Sequence, residues 1–135
     1  MEKIDLKGSH MMLDCSECDK RALASEEKIL EFLERIPKEL GFRKISEPKI
    51  VVYKGRGWDK GGITGFVLIA ESHVSIHTYP HDDFFTADIY SCKPFDTEKA
   101  IRIFREYFKQ KKENIKIVKR ELQVLRENSK KKLAI

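Results

Sequence analysis

The sequence holds little that would staple, anchor or export it. It has only three cysteines, Cys15, Cys18 and Cys92, too few and odd in number for a disulfide framework. No apolar run approaches the roughly 20 residues of a membrane span. The N-terminal MEKIDLKGSHMM lacks the apolar stretch of a signal peptide. These absences point to a cytoplasmic protein with reduced thiols and no membrane partner. Glycine is scarce, and four of its seven occurrences crowd into KGRGWDKGG (54–62). That segment reads as a loop, but it has neither Walker spacing nor GxGxxG, so nothing marks a phosphate cradle. No second CxxC completes Cys15–Cys18, which leaves burial as the simplest role for that pair.

What is abundant is charge, 36% of residues against 41% hydrophobic, with a net +5. At 135 residues the chain fits one domain, residues 1–135, with a core of its own. Basic residues gather in KQKK (109–112) and KKK (130–132). We read these as a solvated helix end and a flexible basic tail over 125–135. No aromatics interleave with them, which argues against a nucleic-acid partner. A non-catalytic module that binds an anionic partner through this basic tail is one alternative for the whole chain.

Periodicity orders the elements. HMMLDC (10–15) reads as a strand. SEEKILEFLERIPKEL (25–40) carries Ile29, Leu30, Leu33, Ile36 and Leu40 at helical spacing, with Ser25 as N-cap. Pro37 predicts an end or a kink near Ile36. Strands follow over 49–55, 63–70, 73–79 and 84–92, then a helix over 97–108 and a strand over 114–122. The order β-α-β-β-β-β-α-β predicts an α+β, two-layer α/β sandwich: an antiparallel sheet with helices on one face.

The informative stretch is AESHVSIHTYP (70–80). Val74, Ile76 and Thr78 alternate with His73, Ser75, His77 and Tyr79, the period of a half-buried strand. His73, His77 and His81 are spaced four apart, but Pro80 forbids an uninterrupted helix there. In a strand His73 and His77 lie about 13 Å apart, so we expect no metal site. Cys92 with His77 could form a nucleophile and base, yet no third residue marks itself as their orienter.

Together, GGITGFVLIAESHVSIHTYP (61–80), Asp88 and Cys92 resemble the small prokaryotic S-adenosylmethionine decarboxylase proenzymes. That family carries GxSGxxxxxESHxxIHTxPE and then DxxxC. Upstream, GSHMMLDCSECD (8–19) resembles the family's GxHxxxDxxxCD, which makes GSHM native sequence. The resemblance covers residues 8 to 95.

The resemblance implies an inactive chain that cuts itself between Glu71 and Ser72. The products would be a β chain, 1–71, and an α chain, 72–135. Ser72 would attack the Glu71 carbonyl and become a pyruvoyl group, the cofactor, which forms a Schiff base with the substrate amine; no metal is implied. His77 matches the processing base and Cys92 the general acid. An ordinary thiol, with a pKa of about 8.5, still carries its proton at neutral pH. Thr64 stands where the family has Ser, and would assist processing by stabilising an oxyanion. Trp58 matches an aromatic that stacks on adenine, and Glu71, freed as a terminus, would help hold the substrate. The implied assembly is a homodimer with sites at the interface. Residues 64–72 show no turn signal after Gly65, and eight residues of strand span roughly 26 Å; Thr64 would then serve a second copy. The implied reaction is decarboxylation of S-adenosylmethionine for spermidine synthesis. Two departures, His81 for Glu and LysProPheAsp after Cys92, keep L-ornithine or L-arginine open as substrates of the same pyruvoyl chemistry.

Overall fold

The computed structural model describes residues 1–127 and 133–135. Its elements are β1 (Glu2–Ser16), α1 (Lys20–Leu23), α2 (Glu26–Glu39), β2 (Lys49–Tyr53), β3 (Gly62–Ile69), β4 (Ser72–Tyr79), a 3-10 turn (Pro80–Asp82), β5 (Phe84–Ser91), α3 (Thr97–Phe108) and β6 (Lys112–Arg126). Six antiparallel strands form one sheet in the order β2-β3-β4-β5-β1-β6. The two-layer α/β sandwich expected from the strand pattern is what forms.

Alternation decides which face is covered. Met11, Leu13 and Cys15 of β1, Val67 and Ile69 of β3, Val74 and Ile76 of β4, and Phe85, Ala87 and Ile89 of β5 are buried. They meet Ile29, Phe32, Leu33 and Ile36 of α2 and Ala100, Ile103, Phe104 and Phe108 of α3. Phe32, Phe85, Phe104 and Phe108 pack ring on ring at the centre. Each such side chain contributes roughly 1.5–3 kcal/mol by leaving water. The helices start where side chains can accept the first free N–H groups. Ser25 Oγ takes Lys28 N–H at 3.1 Å and Asp96 takes Lys99 N–H at 3.0 Å; each cap is worth about 1 kcal/mol. Buried Thr78 accepts the Ile63 N–H and donates to the Leu23 carbonyl at 2.7 Å, tying α1 to the hairpin. Among the described residues, the opposite sheet face carries no helix.

Several boundaries differ from the sequence expectation. α2 runs through Pro37 to Glu39. A proline in the final turn forfeits one backbone bond, and the turn still closes through Leu40 N–H to Ile36 O and Phe42 N–H to Pro37 O. β1 begins at Glu2 rather than His10, and β6 spans 112–126 rather than 114–122. Each carries the other: residues 2–16 of β1 pair in unbroken register with 112–126 of β6. The expected tail therefore starts late, since Leu125 and Arg126 belong to β6; the KKK run falls in 128–132, outside the described residues. β5 pairs with β1 only from Ser9 onward. Residues 2–8 of β1 and 120–126 of β6 thus project beyond the sheet as a two-stranded ribbon.

Candidate active site

The side chains singled out from the sequence fall into two groups at opposite ends of β4. Ser72 opens the strand, and a two-residue turn, Ala70–Glu71, joins it to β3. Ser72 lies opposite Ser91, the last residue of β5. The next residue is Cys92, whose N–H donates to the Glu71 carbonyl at 2.9 Å. That carbonyl is the one the Ser72 hydroxyl would attack. Ser72 has a φ of 156°, a conformation that costs a non-glycine residue on the order of 1–3 kcal/mol. Gly8 lies against the same corner: a Cβ there would stand 2.3 Å from the Ser91 carbonyl and 2.9 Å from Cys92 Cα. The corner thus requires the glycine that opens GxH.

The Glu71 side chain is only 14% exposed and holds the turn from below. It accepts the Arg43 N–H at 3.1 Å and pairs with Lys93 at 3.3 Å. Burial alone would raise its carboxyl; the Arg43 N–H and the Lys93 ammonium outweigh that and hold it below the usual carboxylate range. Sequence reasoning missed this anchor. Lys93 stood out only as a departure after Cys92, and Arg43 lies 28 positions away along the chain.

At the other end, Thr64 and His77 face each other across β3 and β4. Thr64 Oγ1 and His77 Nδ1 are 3.1 Å apart. They border a cavity of about 50 Å³ with Asp59, Gly61, Gly62 and Tyr79, space for a water or two and no more. The turn at Ala70–Glu71 corrects one expectation. β3 does not run straight from Thr64 to Ser72 but folds back, so the pair sits five positions along β4, roughly 17 Å away, rather than 26 Å. No glycine, proline or asparagine announces that turn. At roughly 17 Å the pair is still beyond reach of its own Ser72 within one chain.

Trp58 occupies the tip of the glycine-rich loop, between Arg56 and Asp59, which bond to each other. Its indole is 82% exposed, an open aromatic surface. His81 is exposed in the 3-10 turn beside a cleft of about 610 Å³ that Lys20, Tyr53, Lys54 and Lys60 also line. His73 and His77 share the helix-free face as expected, without converging. No cluster of metal-binding side chains occurs among the described residues.

The same open face carries a polar cluster that the sequence did not announce as a unit. His10 Nε2 and Asp88 Oδ1 are 2.8 Å apart. The Tyr90 ring lies between the rings of His10 and His73, with the Arg120 guanidinium 4.1 Å from its centroid. Cys15 and Cys18 lie apart from all this and form no disulfide; the Cys18 thiol donates to the Cys15 carbonyl at 3.6 Å. Burial pushes the Cys15 thiol up to about 12, helped by nearby Glu113, and the Cys18 thiol to about 11, helped by Asp83. Cys15 is buried in the core as expected, whereas Cys18 is half-buried against it.

Ser72 follows a carbonyl that accepts the Cys92 N–H, Cys92 lies at the same corner, and the Thr64–His77 pair lies one strand-length away. The sequence profile described as S-adenosylmethionine decarboxylase matches residues 9–121. The chain belongs to the S-adenosylmethionine decarboxylase family. It is 32% identical over 114 residues to an S-adenosylmethionine decarboxylase proenzyme of Clostridium botulinum, covering 84% of this chain and 93% of the relative. It is 31% identical to that of Pyrococcus furiosus, covering 87% and 81%. A crystal structure of the adenosylmethionine decarboxylase from Aquifex aeolicus superposes with a TM-score of 0.74 at 28% identity, over 93% of this chain and 98% of that one. Family membership favours S-adenosylmethionine over ornithine or arginine, and an enzyme over a basic binding module. Among the described residues no helix is long and apolar enough to cross a membrane.

Proposed function

We propose that this chain is a proenzyme that cuts itself between Glu71 and Ser72 and then decarboxylates S-adenosylmethionine in the cytoplasm. The observation that carries this reading is the Cys92 N–H on the Glu71 carbonyl, next to the strained Ser72. A donor aimed at that oxygen stabilises the charge that develops when Ser72 Oγ adds to the carbon. The new C–O bond forms as the C–N bond breaks, and the hydroxyl proton passes to the freed amine. Removal of the Ser72 Cα proton by His77 then expels the Glu71 carboxylate. Water completes the conversion and ammonia leaves.

The His77 that does this belongs to a second copy, because each chain's own pair lies roughly 17 Å from its own Ser72. Thr64 holds that imidazole through the 3.1 Å contact and offers its hydroxyl to the same oxyanion. The homodimer is thereby part of the mechanism. A pyruvoyl group at position 72 supplies an electrophilic carbonyl for the substrate's amine and a sink for the electrons left by CO₂. Cys92 delivers a proton to the reacting carbon, Trp58 stacks on the substrate's adenine, and the new Glu71 terminus helps hold the substrate.

Intact mass spectrometry of purified protein tests this. We expect two chains, 1–71 and 72–135, the second lighter than simple hydrolysis gives by the mass difference of one ammonia. Borohydride in the presence of S-adenosylmethionine should add mass to that chain alone. A single uncut chain that takes up no label overturns the proposal.

A further inference from the structure

We infer that the β1–β6 ribbon is a clamp that grips a second copy of this chain; this rests on the homodimer reading above. The ribbon has two unlike faces. Lys3, Asp5 and Lys7 sit opposite Leu125, Gln123 and Glu121 on the side that, further along β1, buries Met11 and Leu13. This side is mainly charged or polar, and the Gln123 amide donates to Asp5 at 3.0 Å. The other side pairs Ile4 with Val124 and Leu6 with Leu122. Leu6, Leu122 and Val124 are exposed, Leu122 at 56%. The apolar side is therefore the one continuous with the helix-free sheet face of His10 and Met12, and among the described residues it stays exposed at Leu6, Leu122 and Val124.

The two half-sites say what would cover it. Ser72 of each copy must meet the Thr64–His77 pair of the other. Ser72 shares the register of buried Val74 and Ile76 but stands at the first position of β4, at the turn. Bringing it to a His77 that points from the partner's open face requires the two β4 strands to run in opposite directions, each Ser72 end over the partner's His77 end. The ribbon begins where β5 stops pairing with β1, at Ser9 and Ser91, level with Ser72. It therefore overhangs the partner at the His77 end. That end carries an apolar counterpart on the open face: the Tyr79 and Phe84 rings, stacked with centroids 4.3 Å apart. Apolar side chains from one copy and stacked aromatic rings from the other form an interface that excludes water. A free ribbon gives no such return, since two strands alone are marginal in water.

The experiment compares full-length wild type with Leu6→Asp/Leu122→Asp by sedimentation equilibrium, following self-cleavage on denaturing gels in parallel. Burying a carboxylate against the rings should raise the dimer dissociation constant at least about tenfold. Cleavage should slow at protein concentrations below that constant. Asp5→Ala/Gln123→Ala, on the polar side, should behave as wild type. If the aspartate variant fails to melt cooperatively by circular dichroism, Leu6→Ser/Leu122→Ser is read the same way. A variant that dimerises as tightly as wild type and cuts as fast overturns the clamp and leaves the homodimer standing. A wild type that cuts while monomeric overturns the homodimer reading, and the clamp with it.

Discussion

In the proposed cleavage the Ser72 hydroxyl and the bond it attacks belong to one short turn, so single substitutions separate the steps. Ser72→Ala removes the nucleophile and should leave one uncut band on a denaturing gel however long it is incubated. Cys92→Ala keeps the backbone N–H that contacts the Glu71 carbonyl. Both fragments should still appear, while turnover of S-adenosylmethionine falls about 10²-fold or more for want of the proton donor. Fragments from Ser72→Ala, or full turnover from Cys92→Ala, would mean that other groups do this work. The buried thiols give a different single-residue test. Burial raises the Cys15 thiol to about 12 and the Cys18 thiol to about 11 in the folded chain, above the ordinary thiol value. Above their unfolded values the unfolded chain releases protons that the folded chain keeps. Their contribution is thus fully present below pH 9 and is lost as pH rises towards those folded values. Cys15→Ala should melt below wild type at pH 7, with the gap narrowing on the order of 1 kcal/mol per pH unit between pH 9 and 11. A constant gap in melting curves would refute it.

In the proposed reaction the β3–β4 hairpin is the element on which processing depends, since it sets Thr64 against His77 and its turn holds the Glu71–Ser72 bond. Thr64→Val keeps the β-branched shape but not the hydroxyl. It should fold normally and slow the appearance of fragments by roughly 10²–10³-fold if Thr64 is an oxyanion donor; Thr64→Ser should restore the rate. An unchanged cleavage time course for Thr64→Val would remove Thr64 from the mechanism. The alternation of Val74, Ile76 and Thr78 with His73, Ser75 and His77 was legible because one side of β4 faces a core and the other does not. The Ala70–Glu71 turn was not. Its geometry is imposed by Arg43 and Lys93 gripping Glu71, contacts from segments remote in the chain, rather than by a glycine. The outer halves of β1 and β6 were missed for a related reason: Ile4 and Leu6 alternate with Lys3, Asp5 and Lys7 as a strand's residues do, but the segment is short and each half has only the other for support. Pro37 misled because the argument against proline holds for a helix interior and weakens in a last turn.

For the molecule as a whole, the two-ended arrangement makes a demand that no single variant can test. Ser72→Ala and His77→Ala should each be uncut alone. When the two are refolded together, mixed dimers contain one corner with both an intact Ser72 and an opposing His77. Up to one chain per mixed dimer, always the His77→Ala chain, should be cleaved, which mass spectrometry identifies. Absence of cleavage in verified mixed dimers would place both residues in the same chain's site.

The sheet order has a last consequence. Chain 1–71 supplies β1, β2 and β3 and chain 72–135 supplies β4, β5 and β6, yet the order β2-β3-β4-β5-β1-β6 threads β1 between two strands of the other piece. After the proposed cut at Ser72, the pieces would remain woven together and could not part without breaking the β3–β4, β5–β1 and β1–β6 pairings. Maturation therefore changes how the protein can recover. An intact chain refolds at a rate independent of dilution, whereas a matured one, once melted, must find its lost half by collision and becomes harder to rescue the more dilute it is.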